Sequence, residues 1–115
     1  MLERLSHIMI YSANHKNSVD WYCKKLGFEI DYNAPGEYAS LHHEKLGRLA
    51  IHATDTNEHN GKGPLPYFLC NDIKKTISTL RERGIKVSDP EREGESPWFC
   101  DFRDPDGNIW GIEEK

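Results

Sequence analysis

The sequence predicts an α+β protein of two βαβββ modules, forming an eight-stranded curved sheet around a concave cup with the helices outside. Three observations carry that prediction. Several short segments alternate apolar and polar residues with period two. Two stretches carry apolar residues at helical spacing, and each closes on a glycine, Gly27 and Gly84. The second half of the chain then repeats the element order of the first.

In chain order, Leu5 to Ser12 alternates, with Leu5, His7, Met9 and Tyr11 on one face and Ser6, Ile8, Ile10 and Ser12 on the other, which predicts a strand. Asn14 to Asn17 supply capping residues, and Val19, Tyr22, Cys23 and Leu26 form the apolar stripe of a helix that Gly27 ends. Phe28, Ile30 and Tyr32 resume period two, Ala34-Pro35-Gly36 turns the chain, and Glu37 to Glu44 and Arg48 to Thr54 read as two further strands. Thr56 to Gly63 has no apolar residue and reads as a connection. Leu65 to Cys70 is the next strand, Asp72 caps a helix with Ile73, Ile77 and Leu80 as its stripe, and Ile85 with Val87 opens another strand. Asp89 to Pro97 is a charged loop, Trp98 to Arg103 a strand, Asp104-Pro105-Asp106-Gly107 a turn, and Asn108 to Glu114 the last strand.

At 115 residues the chain is sized for one domain, expected to span 1–115 with modules at 1–55 and 64–115 and a linker at 56–63. Fifteen Lys and Arg stand against 19 Asp and Glu, a net charge of -4, which argues against a nucleic-acid module. No apolar run is long enough to span a bilayer, and Met1 to Leu5 does not resemble a signal peptide, so no membrane partner and a cytoplasmic location are expected. Cys23, Cys70 and Cys100 are widely spaced and include no Cys-x-x-Cys pair, which indicates neither a disulfide framework nor a thiolate zinc site. There is no Gly-x-Ser-x-Gly elbow and no phosphate-binding glycine-rich loop. Cys100 has no evident base or cation beside it to form a thiolate.

Laying Leu26-Gly27-Phe28-Glu29-Ile30 over Arg83-Gly84-Ile85-Lys86-Val87 brings the two halves into correspondence. This duplicated unit carries two local motifs: His7, Asn14, Trp21-Tyr22 and Leu26-Gly27-Phe28 at one end, and Phe102-Arg103-Asp104-Pro105-Asp106-Gly107-Asn108 at the other. Together they resemble the vicinal oxygen chelate superfamily of glyoxalases, bleomycin-resistance proteins, fosfomycin-resistance enzymes and extradiol dioxygenases. The resemblance covers nearly the whole chain and implies paired modules, within the chain or across a homodimer, around a cup that holds a small molecule.

In metal-using members that cup holds a divalent ion through inward His and Glu residues. The resemblance places the first two ligand positions on His7 and His52. It places the third among Pro64, Leu65 and Pro66, which bind no metal, and the fourth on Gly111. Glu113 lies two residues beyond Gly111 and on the same face of a strand. All six histidines, His7, His15, His42, His43, His52 and His59, lie in the first half, so none can supply the second module. His42 and His43 are adjacent in a strand and point to opposite faces.

Two functions follow. The favoured one is a metal-free protein of bleomycin-resistance type that sequesters a small organic ligand, with Tyr11, Tyr38, Trp98 and Trp110 as the expected contacts. The alternative is a metal-dependent lyase, transferase or dioxygenase using His7, His52 and Glu113 with zinc, nickel, iron or manganese and a substrate bearing two vicinal oxygens. A third possibility is an interaction domain whose cup is filled by its own side chains.

Overall fold

The computed structural model describes residue 1, residues 3–58 and residues 60–115. Among the described residues, seven strands and two helices form two compact units, Met1–His59 and Asn60–Lys115, each with its own sheet and helix. Neither helix, of 12 and 10 residues, is long and apolar enough to cross a membrane.

The first unit runs β1 (Ile8–Ser12), α1 (His15–Leu26), β2 (Glu29–Ala34), β3 (Tyr38–His43) and β4 (Gly47–Ala53), with sheet order β1-β4-β3-β2. Only the β1–β4 pair is parallel, because α1 provides the crossover that returns the chain to the same end. β1 begins at Ile8 and not at Leu5, since its register pairs Ile8 with Leu49 and the partner strand itself starts only at Gly47. His7 therefore sits one residue before the strand. Asn14 caps α1 by accepting from the Asn17 amide. At the other end Gly27 takes φ +79°, and the Phe28 amide reaches back to the Tyr22 carbonyl at 3.3 Å, a closure that a side chain at Gly27 would strain.

The core of this unit lies between α1 and one face of the sheet. Tyr22, Val19 and Leu26 from the helix are buried with Ile10, Ala39, Leu41, Leu49, Ile51 and Phe28. His15 is buried too and joins three segments: its Nε2–H donates to the Ile51 carbonyl at 3.2 Å, and its Nδ1 accepts from the Gly36 amide at 3.2 Å. Both ring nitrogens are thus satisfied, as a buried polar side chain requires.

The second unit runs β5 (Tyr67–Cys70), α2 (Ile73–Glu82), β6 (Phe99–Arg103) and β7 (Ile109–Glu114), in sheet order β5-β7-β6. Asp72 caps α2 by accepting from the Lys75 amide, and the Glu114 carboxylate, at the end of β7, accepts from the Ile73 amide at 2.8 Å. Ile73, Ile77, Ile85, Val87, Cys100, Phe102, Trp110 and Ile112 form the core.

The eighth strand expected at Ile85 and Val87 is reduced to two isolated bridges, Val87 with Phe102 and Glu91 with Phe99. Side chains occupy the ladder there. Arg81 donates to the Val87 carbonyl at 2.8 Å, and Ser88 Oγ accepts the Asp101 amide at 2.9 Å. Pro90 has no amide proton to give. The Asp104 to Gly107 turn forms as expected, its buried Asp104 carboxylate accepting from the amides of Asp106 and Asn108 and from Asn108 Nδ2.

Candidate ligand-binding site

Strand alternation gives each sheet a face turned away from its helix. In the first unit that face carries a row of rings across three strands. Tyr11 pairs with His52 on β4, and His52 pairs with Tyr38 on β3, so all three stand on one face at one level. The ring centroids are 5.7 Å apart for Tyr11 and His52 and 6.3 Å for His52 and Tyr38, within the range of favourable aromatic contacts. Tyr32 extends the row, 6.4 Å from Tyr38. The period-two reading placed Tyr32 on the same face as Ile30. A bulge between them moves it instead to the level of Ser40 on the open face, and no residue type announces that extra residue. Tyr11 and Tyr32 remain about half exposed or more, at 49% and 59%, so their rings are available to a ligand.

His52 Nδ1–H donates to the Ala53 carbonyl at 2.6 Å. In the neutral ring that bond selects the tautomer whose Nε2, flanked by two tyrosine rings, is a hydrogen-bond acceptor. Next along the face come Met9, Ala50 and Ser40. Beyond them lies a charged row. His42 Nδ1 is 2.6 Å from Asp31, its Nε2 is 3.1 Å from Glu29, and Arg48 stands opposite His42 with its guanidinium 3.8 Å from Asp31. None of Tyr32, Asp31, Glu29 or Arg48 was singled out from sequence, since their assembly depends on the bulge and on pairing between strands distant in the chain.

His7 and His52 belong to the same unit but not to the same level. His52 is level with Tyr11, four residues beyond His7, a separation of about 13 Å along the strand. Donors to a zinc-like ion lie about 2 Å from it, so two imidazoles standing off one face that far apart do not fit a common ion. Ser6 Oγ lies 2.9 Å from His7 Nδ1. Among the described residues, no three His, Cys, Asp or Glu side chains form a group that could hold a metal.

Glu113 lies in the second unit, on β7 between Leu69 and Phe99, on the face shared with Gly111. The Tyr67 ring lies across Gly111: a Cβ there would meet the ring at 2.4 Å. The two tryptophans of this unit differ. Trp110 is buried at 3% exposure, its ring stacked 5.1 Å from Phe68, so it belongs to the core under α2 and not to the open face. Trp98 precedes β6 at 37% exposure, with the Arg92 guanidinium 5.2 Å over its ring. The sequence candidates are therefore divided, with Tyr11, Tyr38 and His52 brought together and Trp98, Trp110 and Glu113 in the other unit.

Burial disfavours the thiolate at two of the cysteines, Cys23 and Cys100. Burial first, then Cys70 and Asp101, push the Cys100 thiol up to about 11 against the opposing pull of Arg81. Burial and then Asp20 raise Cys23 as well.

Comparison with known proteins places this geometry. The chain is 26% identical to the uncharacterized protein YetH of Bacillus subtilis (strain 168), over 99% of this chain and all of that one. Its fold matches the bleomycin-binding protein of Streptomyces verticillus in complex with copper(II)-bleomycin, with a TM-score of 0.78 at 16% identity, covering 100% of this chain and 99% of that one. It also matches the fosfomycin resistance protein FosX of Listeria monocytogenes, bound to Mn(II) and a dihydroxypropylphosphonic acid, with a TM-score of 0.78 at 13% identity over 98% of this chain and 90% of that one. The family model described as Glyoxalase/Bleomycin resistance protein/Dioxygenase superfamily matches residues 4–112, and with the two-unit βα architecture above this makes the chain a member of that superfamily.

Proposed function

We propose that the protein binds a small, partly aromatic organic molecule and sequesters it without a metal ion. The observation that carries this reading is the row of Tyr11, His52 and Tyr38 on the open face of the first sheet. Tyrosine rings offer a large amphipathic contact at low conformational cost, and the free His52 Nε2 supplies one oriented polar group among them. The four-residue offset between His7 and the level of His52, about 13 Å at extended rise, adds support, since it keeps these two imidazoles from sharing one ion. A protein of the same fold, the bleomycin-binding protein of Streptomyces verticillus, is solved in complex with copper(II)-bleomycin.

The test is calorimetric titration of wild-type protein, purified without a polyhistidine tag, with a panel of planar aromatic compounds. Saturable binding that Tyr11→Ala and Tyr38→Ala each weaken by about tenfold is expected, for the loss of one stacked aromatic contact. Elemental analysis of the same preparation is the second arm. A stoichiometric transition metal, lost in a His7→Ala variant, overturns the proposal in favour of the metal-dependent alternative.

A further inference from the structure

The open face of the first unit changes character along its length, and the change points to the kind of molecule that fits it. At one end stands the Tyr11, His52 and Tyr38 row. Midway are Met9, Ala50 and Ser40. At the other end, where β1 and β4 begin, a cavity of about 760 Å³ is lined by Arg4, His7 and Arg48 together with Leu5, Ile8 and Leu46.

The lining of that cavity, taken by itself, carries more cationic than anionic side chains. Among the described residues Glu3 is the one carboxylate lining the cavity, against the two arginines. Nearby Asp31 and Glu29 are already engaged with the two nitrogens of His42. Arg48 approaches Asp31 only at 3.8 Å, with its side chain 61% exposed, so most of its N–H donors face solvent. Among the described residues the ion pairs involve His42, Arg48 and Arg81, and Arg4 is in none of them. Guanidinium groups present paired donors that match the oxygens of a carboxylate or phosphate, and hydrogen bonds to such anions are about twice as strong as neutral ones.

Resting on the small-molecule reading above, we infer that the ligand is an elongated amphipathic anion. Its aromatic body lies on the tyrosine row, and its carboxylate or phosphate group reaches the Arg4, His7 and Arg48 end about 13 Å away. The apolar middle of the face suits the link between the two groups.

Three probes sharing one ring system and a linker long enough to span the face test this: 6-(2-naphthyl)hexanoate, 5-(2-naphthyl)pentyl phosphate and the neutral 6-(2-naphthyl)hexanamide, each titrated calorimetrically into wild-type protein. At least one anion is expected to bind about tenfold tighter than the amide, an advantage that shrinks as salt is raised. The tighter of the two anions identifies the headgroup. In the Arg4→Gln, Arg48→Gln double variant the anion-to-amide ratio is expected to fall to near one, while Arg48→Lys, which keeps the charge but not the fork, retains part of it. A ratio of one in the wild type overturns the inference while leaving the small-molecule reading intact. A ratio unchanged in the double variant also overturns it. Failure of all three probes to bind counts against the tyrosine row itself.

Discussion

The two units use aromatic residues in opposite ways. In the first, Tyr11, Tyr32 and Tyr38 stand on the open face while the helix-facing core is largely aliphatic, with Tyr22 and Phe28 as its rings. In the second, Trp110, Phe68 and Phe102 stack in the core, and the open face keeps Tyr67, pinned across Gly111, and Phe99. The same supersecondary plan thus places its rings on the open face in one copy and in the core in the other. A ring's position relative to the helix, more than its presence in a strand, decides which role it takes.

Substitutions that separate stability from binding test this contrast. The largest effect is expected for Trp110→Ala, a loss of about 3–5 kcal/mol from removing a large buried ring, read as a lower midpoint in denaturant. Tyr11→Ala, at a half-exposed ring, is expected to move that midpoint far less while reducing ligand affinity. If the two variants behave alike, the division of roles is wrong.

Gly111→Ala comes next. Its methyl group cannot coexist with the Tyr67 ring where it lies, so a cost of about 1–3 kcal/mol is expected from overpacking. Adding Tyr67→Ala should recover much of it, and a double-mutant cycle measures the coupling. Smaller still is Arg92→Ala, about 0.5–1 kcal/mol for a cation stacked on an exposed ring, followed by a shift in tryptophan emission as Trp98 gains solvent. Cys100 offers a check by pH. Its thiol titrates at about 11, so alkylation of the folded protein at that site should stay slow through pH 9 and accelerate only as pH approaches 11. Rapid reaction at pH 8 would contradict the burial described for it.

Much of the fold was legible because its signals are local. The caps at Asn14 and Asp72, the left-handed Gly27, and the alternation that buries Ile10 and Ser12 while exposing Tyr11 all depend on a few neighbouring residues. The second module lost a strand for a reason that is not local: Arg81 on α2 and Ser88 take hydrogen bonds that a ladder would have made. The site was legible in part. Tyr11, Tyr38 and His52 could be named as candidates, but that they share one level is a fact of register, set by pairings across the chain. The face that Trp110 takes cannot be read from alternation, because its strand buries both faces at that point, with Trp110, Gly111 and Ile112 all buried in succession.

The missing eighth strand has an evolutionary consequence. Between the bridges at Val87 and Glu91 and the start of β6, the chain is tied by few backbone contacts, so lengthening a flexible loop there disturbs no ladder and adds only about 0.6 kcal/mol for each doubling. Residues 92–97 are therefore the place where a descendant of this protein could acquire a longer arm over its second unit without renegotiating the sheet beneath, which begins where the Trp98 carbonyl accepts from the Glu114 amide.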